Sequence, residues 1–139
     1  MASRKVFVDT SYVYALINPN DQWHNAAVAW QHKLDTKSDR LITSEFVLTE
    51  IADGLSSLSF RQAAALSIRL LQSNPCVEIY PVSSNLFERA LELFEKRVDK
   101  NWGLTDCTSF VIMRDLGLTE ALTTDGHFEQ AGFSPLLRA

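Results

Sequence analysis

Two periods of hydrophobic and polar positions take turns along this chain. Lys5–Val8 is a short apolar run of the kind that fills a strand covered on both faces of a parallel sheet. Thr10 or Ser11 can cap a following helix that runs to about Asn18, and Asn18-Pro19-Asn20-Asp21 reads as a turn. From Trp23 to Lys37 the period becomes helical, with Ala26, Ala27, Trp30 and Leu34 in phase. Arg40–Thr43 is a second strand. Ser44 then caps a helix whose stripe is Val47, Ile51, Leu55 and Leu58. Ser59 opens another, burying Phe60, Ala63, Ala64, Ile68 and Leu71, and Asn74-Pro75 breaks it. Val77–Tyr80 is a third strand, followed from Ser83 or Ser84 by a helix with Leu86, Phe87, Ala90, Leu91 and Phe94 inward. Thr105 can cap a helix from Asp106 to Leu116 that Gly117 stops. Glu120–Thr123 is a fourth strand, Gly126–Ala131 a short helix, and Ser134–Leu137 an edge strand.

Strands that alternate with helices predict a three-layer α/β/α sandwich with a mostly parallel central sheet. With no repeat, low-complexity tract or linker-like stretch, residues 1–139 read as one domain. Sites in such sheets form beyond the carboxyl ends of the strands, so the candidate chemistry is sought there.

Composition narrows the classes. At 46% hydrophobic the chain is globular rather than disordered or fibrous. Its longest apolar run, Tyr12–Ile17, falls far short of the ~20 residues that span a bilayer. Val6-Phe7-Val8 is too short for a signal-peptide core and Ala2 excludes myristoylation, so a cytoplasmic location is expected. Cys76 and Cys107 form no C-x-x-C and are read as small buried apolar groups. Thirteen Lys and Arg against seventeen Asp and Glu leave −4, which disfavours a protein that coats nucleic acid by charge alone.

Four acids stand in awkward places. Asp9 and Asp125 directly follow predicted strands, Glu50 borders an apolar stripe, and Asp106 opens a helix whose same side carries Phe110 and Met113. Each has a plainer reading: Asp106 favours a helix N-terminus, Asp9 and Asp125 serve turns, and Glu50 pairs with an arginine. Taken together, gathered carboxylates repel one another, and burial adds to the cost of ionising them. A hard divalent cation, Mg²⁺ or Mn²⁺, resolves that conflict and can activate water at a phosphoryl centre. Without these four acids the chain balances at thirteen charges of each sign, so the whole −4 can be assigned to the proposed site.

These residues carry a resemblance. Val6-Phe7-Val8-Asp9-Thr10-Ser11 resembles the opening strand and acid of PIN-domain nucleases, in particular VapC-like toxin ribonucleases. Thr49-Glu50-Ile51 is similar to their second acidic motif, and Leu104-Thr105-Asp106 with its apolar helix to their third. Ala121-Leu122-Thr123-Thr124-Asp125-Gly126-His127-Phe128 resembles the terminal T-x-D-x-x-F motif. The ordered set covers nearly the whole chain. The resemblance implies a metal-dependent endoribonuclease with Asp9, Glu50, Asp106 and Asp125 as catalytic, metal-holding acids. Thr123 and Thr10 then map onto supporting hydroxyls. It further implies an RNA substrate, an antitoxin partner engaging the early helices, and a homodimer. The apolar residues Tyr12, Tyr14, Leu16, Phe60 and Leu66 permit such interfaces. A catalytically silent module that binds RNA or protein, and a standalone RNA-processing nuclease, remain as alternatives.

Secondary candidates are weighed on local grounds. His24 is expected to pack or bond locally; His127 could touch substrate beside Asp125, but a place on the surface after a turn is the favoured reading. Lys96, Arg97 and Lys100 with Trp102 could hold phosphate and stack a base, or form a solvated helix end. Asp53 and Asp115 are reserve acids. Ser11 stands where a haloacid-dehalogenase-type phosphatase needs a second Asp, a response-regulator receiver lacks its paired acids here, and no phosphate-binding glycine loop or nucleophile elbow is present. A flap-type DNA nuclease needs a longer chain.

Overall fold

The computed structural model describes residues 3–34 and 37–138. Met1 and Ala2, on which the targeting expectations rest, and Asp35 and Thr36 within the predicted second helix, lie outside the described residues. Five parallel strands form one sheet in the order β3-β2-β1-β4-β5. They are β1 (Lys5–Val8), β2 (Arg40–Ser44), β3 (Val77–Tyr80), β4 (Glu120–Leu122) and β5 (Ser134–Pro135). The helices between them are α1 (Thr10–Ile17), α2 (His24–Lys33), α3 (Glu45–Gly54), α4 (Arg61–Ser73), α5 (Ser84–Lys96), α6 (Leu104–Leu116) and α7 (Gly126–Gln130).

Strand β1 is central because its side chains are apolar on both faces. Val6, Phe7 and Val8 are buried. Phe7 points toward Phe128 of α7, whose ring meets Phe110 of α6 edge-on at 5.0 Å. Val8 points the other way and, with Leu41 of β2, lines a cleft walled by α1, α2 and α4. One apolar run therefore glues two helical layers to one sheet, as the strand's period of two requires. Strands β2 and β3 build outward from one edge of β1 while β4 and β5 build from the other. The side on which successive strands are added thus reverses between β1 and β4, the switch point at which open α/β sheets leave a crevice. Among the described residues no helix is long and apolar enough to cross a membrane.

Several boundaries differ from expectation. Thr10 is the first residue of α1 rather than its cap, the N-cap position being Asp9. Helix α6 starts at Leu104 with Gly103 as N-cap, which places Asp106 in its first turn instead of Thr105 capping it. Helix α4 begins at Arg61, because the Phe60 and Arg61 N–H groups both bond the Ser57 carbonyl in a turn. The predicted Ser134–Leu137 strand is two residues of β5 and then a 3₁₀ turn, Leu136–Arg138. Gly117 ends α6 as expected, at φ +66°, with the Leu118 N–H bonding the Met113 carbonyl.

Helical phase also overstated the core. Leu58 lies past the end of α3 and is 93% exposed, while Phe87 and Phe94 on α5 are 39% and 46% exposed. An apolar stripe says which side of a helix is hydrophobic, and only the neighbouring element decides how wide a strip of it is covered. Cys107 is buried as expected, whereas Cys76 is half-buried.

Candidate active site

Strand β1 ends at Val8, and the next side chain, Asp9, is carried to the crevice beside β4. The parallel register aligns Val8 with Leu122, so Asp9 falls beside Thr123. The Asp9 N–H still bonds the Leu122 carbonyl at 3.2 Å, and Thr43 Oγ1 of β2 donates to the Val8 carbonyl at 2.8 Å. The acid therefore projects from a fully anchored backbone. Its side chain is only 4% exposed.

Two hydroxyls hold it. Thr123 Oγ1 donates to Asp9 Oδ2 at 2.7 Å and Ser11 Oγ donates to the same oxygen at 2.9 Å. Backbone groups set the direction of both protons: the Asp125 N–H donates to Thr123 Oγ1 and the Thr124 N–H to Ser11 Oγ. Each hydroxyl thus spends a lone pair on an N–H and keeps its single proton for the carboxylate. Oδ1 has no hydrogen-bond partner among the described residues.

The expected supporting residues divide here. Thr123 lies on Asp9, but Thr10 Oγ1 is buried without a hydrogen-bond partner among the described residues, and the second hydroxyl on the acid belongs to Ser11. Ser11 had a legible signal, since a hydroxyl two residues past a strand-end acid is the spacing of a local side-chain turn. Its approach to Thr123 required the sheet.

The other acids arrive from three elements. Asp106, in the first turn of α6, accepts from the Gly103 N–H at 3.1 Å and contacts His127 Nδ1 at 3.1 Å through the same oxygen. Asp125 is the N-cap of α7, its Oδ1 accepting from the His127 N–H at 2.9 Å and standing 3.4 Å from His127 Nδ1. Asp106, Asp125 and His127 form a half-buried group whose ligand atoms all lie within 4.8 Å of one another. Glu50 is half-buried on α3, outside that trio but near enough for its charge to act on Asp9. Tyr14 of α1 donates its hydroxyl to the Glu50 carbonyl at 2.8 Å and docks α3 against α1. Gly54 permits that approach, since a methyl group there would overlap the Tyr14 hydroxyl.

Electrostatically the crevice opposes its own charges. Burial pushes the Asp9 carboxyl up from 3.8 to about 6, against the two hydroxyl bonds, and the charges of Asp106 and Glu50 push the same way. Burial also raises Asp106, with the Asp125 charge adding and the bonds from His127 and Gly103 opposing. This donor set suits an oxygen-preferring divalent cation, which removes the repulsion that the acids otherwise hold.

His127, for which the sequence favours a surface place after a turn over a contact beside Asp125, faces Asp106 and Asp125. His24 bonds locally as expected, its Nδ1 2.6 Å from the Ala15 carbonyl. Trp102 is no base platform. It is 4% exposed, packs edge-on to Phe110 at 4.9 Å, and its indole N–H donates to Gln130. Arg97 lies over the Trp102 ring and pairs with Asp99.

Known proteins align with this chain throughout. The PIN domain family matches residues 6–134. The chain is 34% identical over 130 residues to the 23S rRNA-specific endonuclease VapC20 of Mycobacterium tuberculosis, covering 92% of this chain and 95% of that protein. The crystal structure of Mycobacterium tuberculosis VapC20, described as a sarcin–ricin loop cleaving toxin, superposes with a TM-score of 0.84 at 30% identity over 94% of this chain and 97% of that one. VapBC2 from Rickettsia felis, bound to a promoter DNA fragment, superposes with a TM-score of 0.67 at 16% identity over 94% of this chain and 96% of that one, a likeness of fold alone.

Proposed function

The chain belongs to the PIN-domain family, and from that premise we propose that it is a Mg²⁺- or Mn²⁺-dependent endoribonuclease, the toxin of a toxin–antitoxin pair. The observation that carries the reading is Asp9: a buried acid at the switch point, clamped on one oxygen and crowded by further acids, with no cationic side chain hydrogen-bonded to it among the described residues. Such a group is costly to the fold and useful to a cation. When bound, a divalent cation supplies a Lewis acid that activates water and offsets charge on the phosphoryl oxygens.

The chain's own residues do the rest. Asp9, Asp106, Asp125 and Glu50 hold the cation, directly or through water. Thr123 and Ser11 fix the Asp9 rotamer by bonding Oδ2, which leaves Oδ1 to ligate. Asp125 orients the attacking water on the crevice side. Arg138, whose guanidinium bonds the Thr124 carbonyl at 2.9 Å beside Asp125, brings a cation to the rim where a phosphate would lie. Outside the four acids the chain is neutral, which fits capture of one local RNA structure better than electrostatic coating. Likeness to VapC20 over nearly the full length of both chains supports a ribosomal RNA loop as the substrate.

The antitoxin reading rests on the cleft of about 230 Å³ between α1, α2 and α4, lined by Tyr12, Val13, Leu16, Leu34, Leu70 and Leu71. Its apolar walls fit one amphipathic helix. Phe87 and Phe94, exposed one above the other on α5, offer a self-association face for a homodimer. The function is tested by incubating ribosomes and a sarcin–ricin stem-loop RNA with wild type and Asp9→Asn in Mg²⁺ or Mn²⁺ and mapping the ends. Cleavage at one site by wild type, abolished in Asp9→Asn and by chelation, is expected. Cleavage retained in the variant would sink the reading, and inertness of both proteins toward every RNA would favour a silent binding module.

A further inference from the structure

Imidazole is the unexpected donor in a crevice of carboxylates. His127 Nδ1 stands 3.1 Å from Asp106 Oδ2 and 3.4 Å from Asp125 Oδ1. Neighbouring ligand atoms around a six-coordinate cation with bonds of ~2.1 Å lie ~3.0 Å apart, so His127 Nδ1 stands at nearly that spacing from each carboxylate, and all three donor atoms lie within 4.8 Å of one another. The ring is also aimed. The His127 N–H donates to Asp125 Oδ1, the oxygen that caps α7, and this cap fixes where the ring begins. Phe128, the next residue, is buried against Phe110 and Phe7, so α7 cannot easily roll to turn the imidazole away.

Resting on the metal-dependent reading above, we infer that His127 is a nitrogen ligand of the cation site, with Asp106 and Asp125 supplying adjoining oxygens, and that it tilts the site toward Mn²⁺ and Co²⁺ over Mg²⁺. Imidazole binds first-row transition cations well, whereas Mg²⁺ prefers oxygen and keeps its waters. His127 would hold the cation through the Nδ1 lone pair in the tautomer with its proton on Nε2, and that Nε2–H would then be available to a phosphate oxygen of the RNA.

The test is spectroscopic. Pulsed electron paramagnetic resonance of Mn²⁺ bound to the intact protein is expected to show coupling to one imidazole nitrogen. The coupling should vanish in His127→Ala and in His127→Asn, the latter keeping a polar side chain. Calorimetric titration is expected to show Mn²⁺ binding at least ~10-fold tighter than Mg²⁺ in wild type, with that ratio collapsing in both variants while Mg²⁺ affinity changes less. Mn²⁺ bound without nitrogen coupling, coupling that survives both substitutions, or an unchanged Mn²⁺-to-Mg²⁺ ratio overturns the ligand role and leaves the acidic site standing. Wild type that binds neither cation overturns both readings.

Discussion

Helix α6 carries an aspartate near each end, and the two experience opposite surroundings. Asp106 sits in the first turn, where the helix dipole favours a carboxylate, and yet its pKa is raised. Asp115 sits in the last turn, where the dipole disfavours one, and yet its pKa is lowered. The neighbours decide both cases. Arg89 of α5 grips Asp115 with two guanidinium bonds of 2.7 Å on an open surface. Asp106 is half-buried beside Asp125, answered among the described residues by His127 and the Gly103 N–H. A dipole contribution of ~0.3–1 kcal/mol loses to burial at one end and to a bidentate arginine at the other. The surface end is electrostatically finished within the protein. The crevice end is not, and this difference is what favours it as the end where the proposed cation would act.

The sharpest way to break that contrast is to neutralise each aspartate in turn. Asp106→Asn is expected to lower RNA cleavage by on the order of 10³-fold, several kcal/mol of transition-state stabilisation, while Asp115→Asn stays within about twofold of wild type. Single-turnover cleavage assays decide it, and equal losses would erase the distinction between the two ends.

A smaller effect concerns stability. Because the folded Asp9 carboxyl titrates near 6 rather than 3.8, its protonated form favours the folded chain. That contribution is fully present below pH 3.8 and is lost as pH rises through about 6. Cation-free wild type should therefore lose up to about 3 kcal/mol from this group between pH 4 and 7, a loss absent in Asp9→Asn. Thermal melts in chelator are expected to show the variant gaining on wild type as pH rises. Parallel profiles would mean that Asp9 is not strained by burial.

The smallest expected effect lies in the hydroxyl clamp. Thr123→Val keeps the side-chain shape but removes a donor to Asp9 and the acceptor for the Asp125 N–H. A loss of about 1–3 kcal/mol in stability and a further rise in the Asp9 pKa are expected, measured by denaturant unfolding and by carboxyl titration in NMR spectra. An unchanged Asp9 titration would show that burial alone sets its proton affinity.

Much of this is legible in the sequence. Short apolar runs bounded by turn residues, and stripes at helical spacing, locate the strands and helices to within a few residues, because both are local properties of the chain. Asp9 and Asp125 could be placed at the carboxyl edge for the same reason, since each directly follows a strand. That Asp106 and Asp125 lie together, with the charges of Asp106 and Glu50 reaching Asp9, could be suspected from the number and position of the acids, but no local pattern requires it. Local phase could not say that Phe87 and Phe94 stay exposed or that Trp102 is buried, because coverage belongs to the partner surface.

What the sequence determined by itself was an alternating α/β chain with an acid at the end of its central strand. Only the tertiary structure decided how that acid is held and who answers it. The β1–β4 register sets Thr123 and Ser11 on one oxygen of Asp9, the first from 114 positions away. The packing of α6 against α7 brings His127 onto Asp106 across 21 positions. Periodicity is a property of neighbouring residues. A hydrogen bond between residues so far apart in the chain depends on which strands pair and which helices pack, and those choices are made by burial of the whole core.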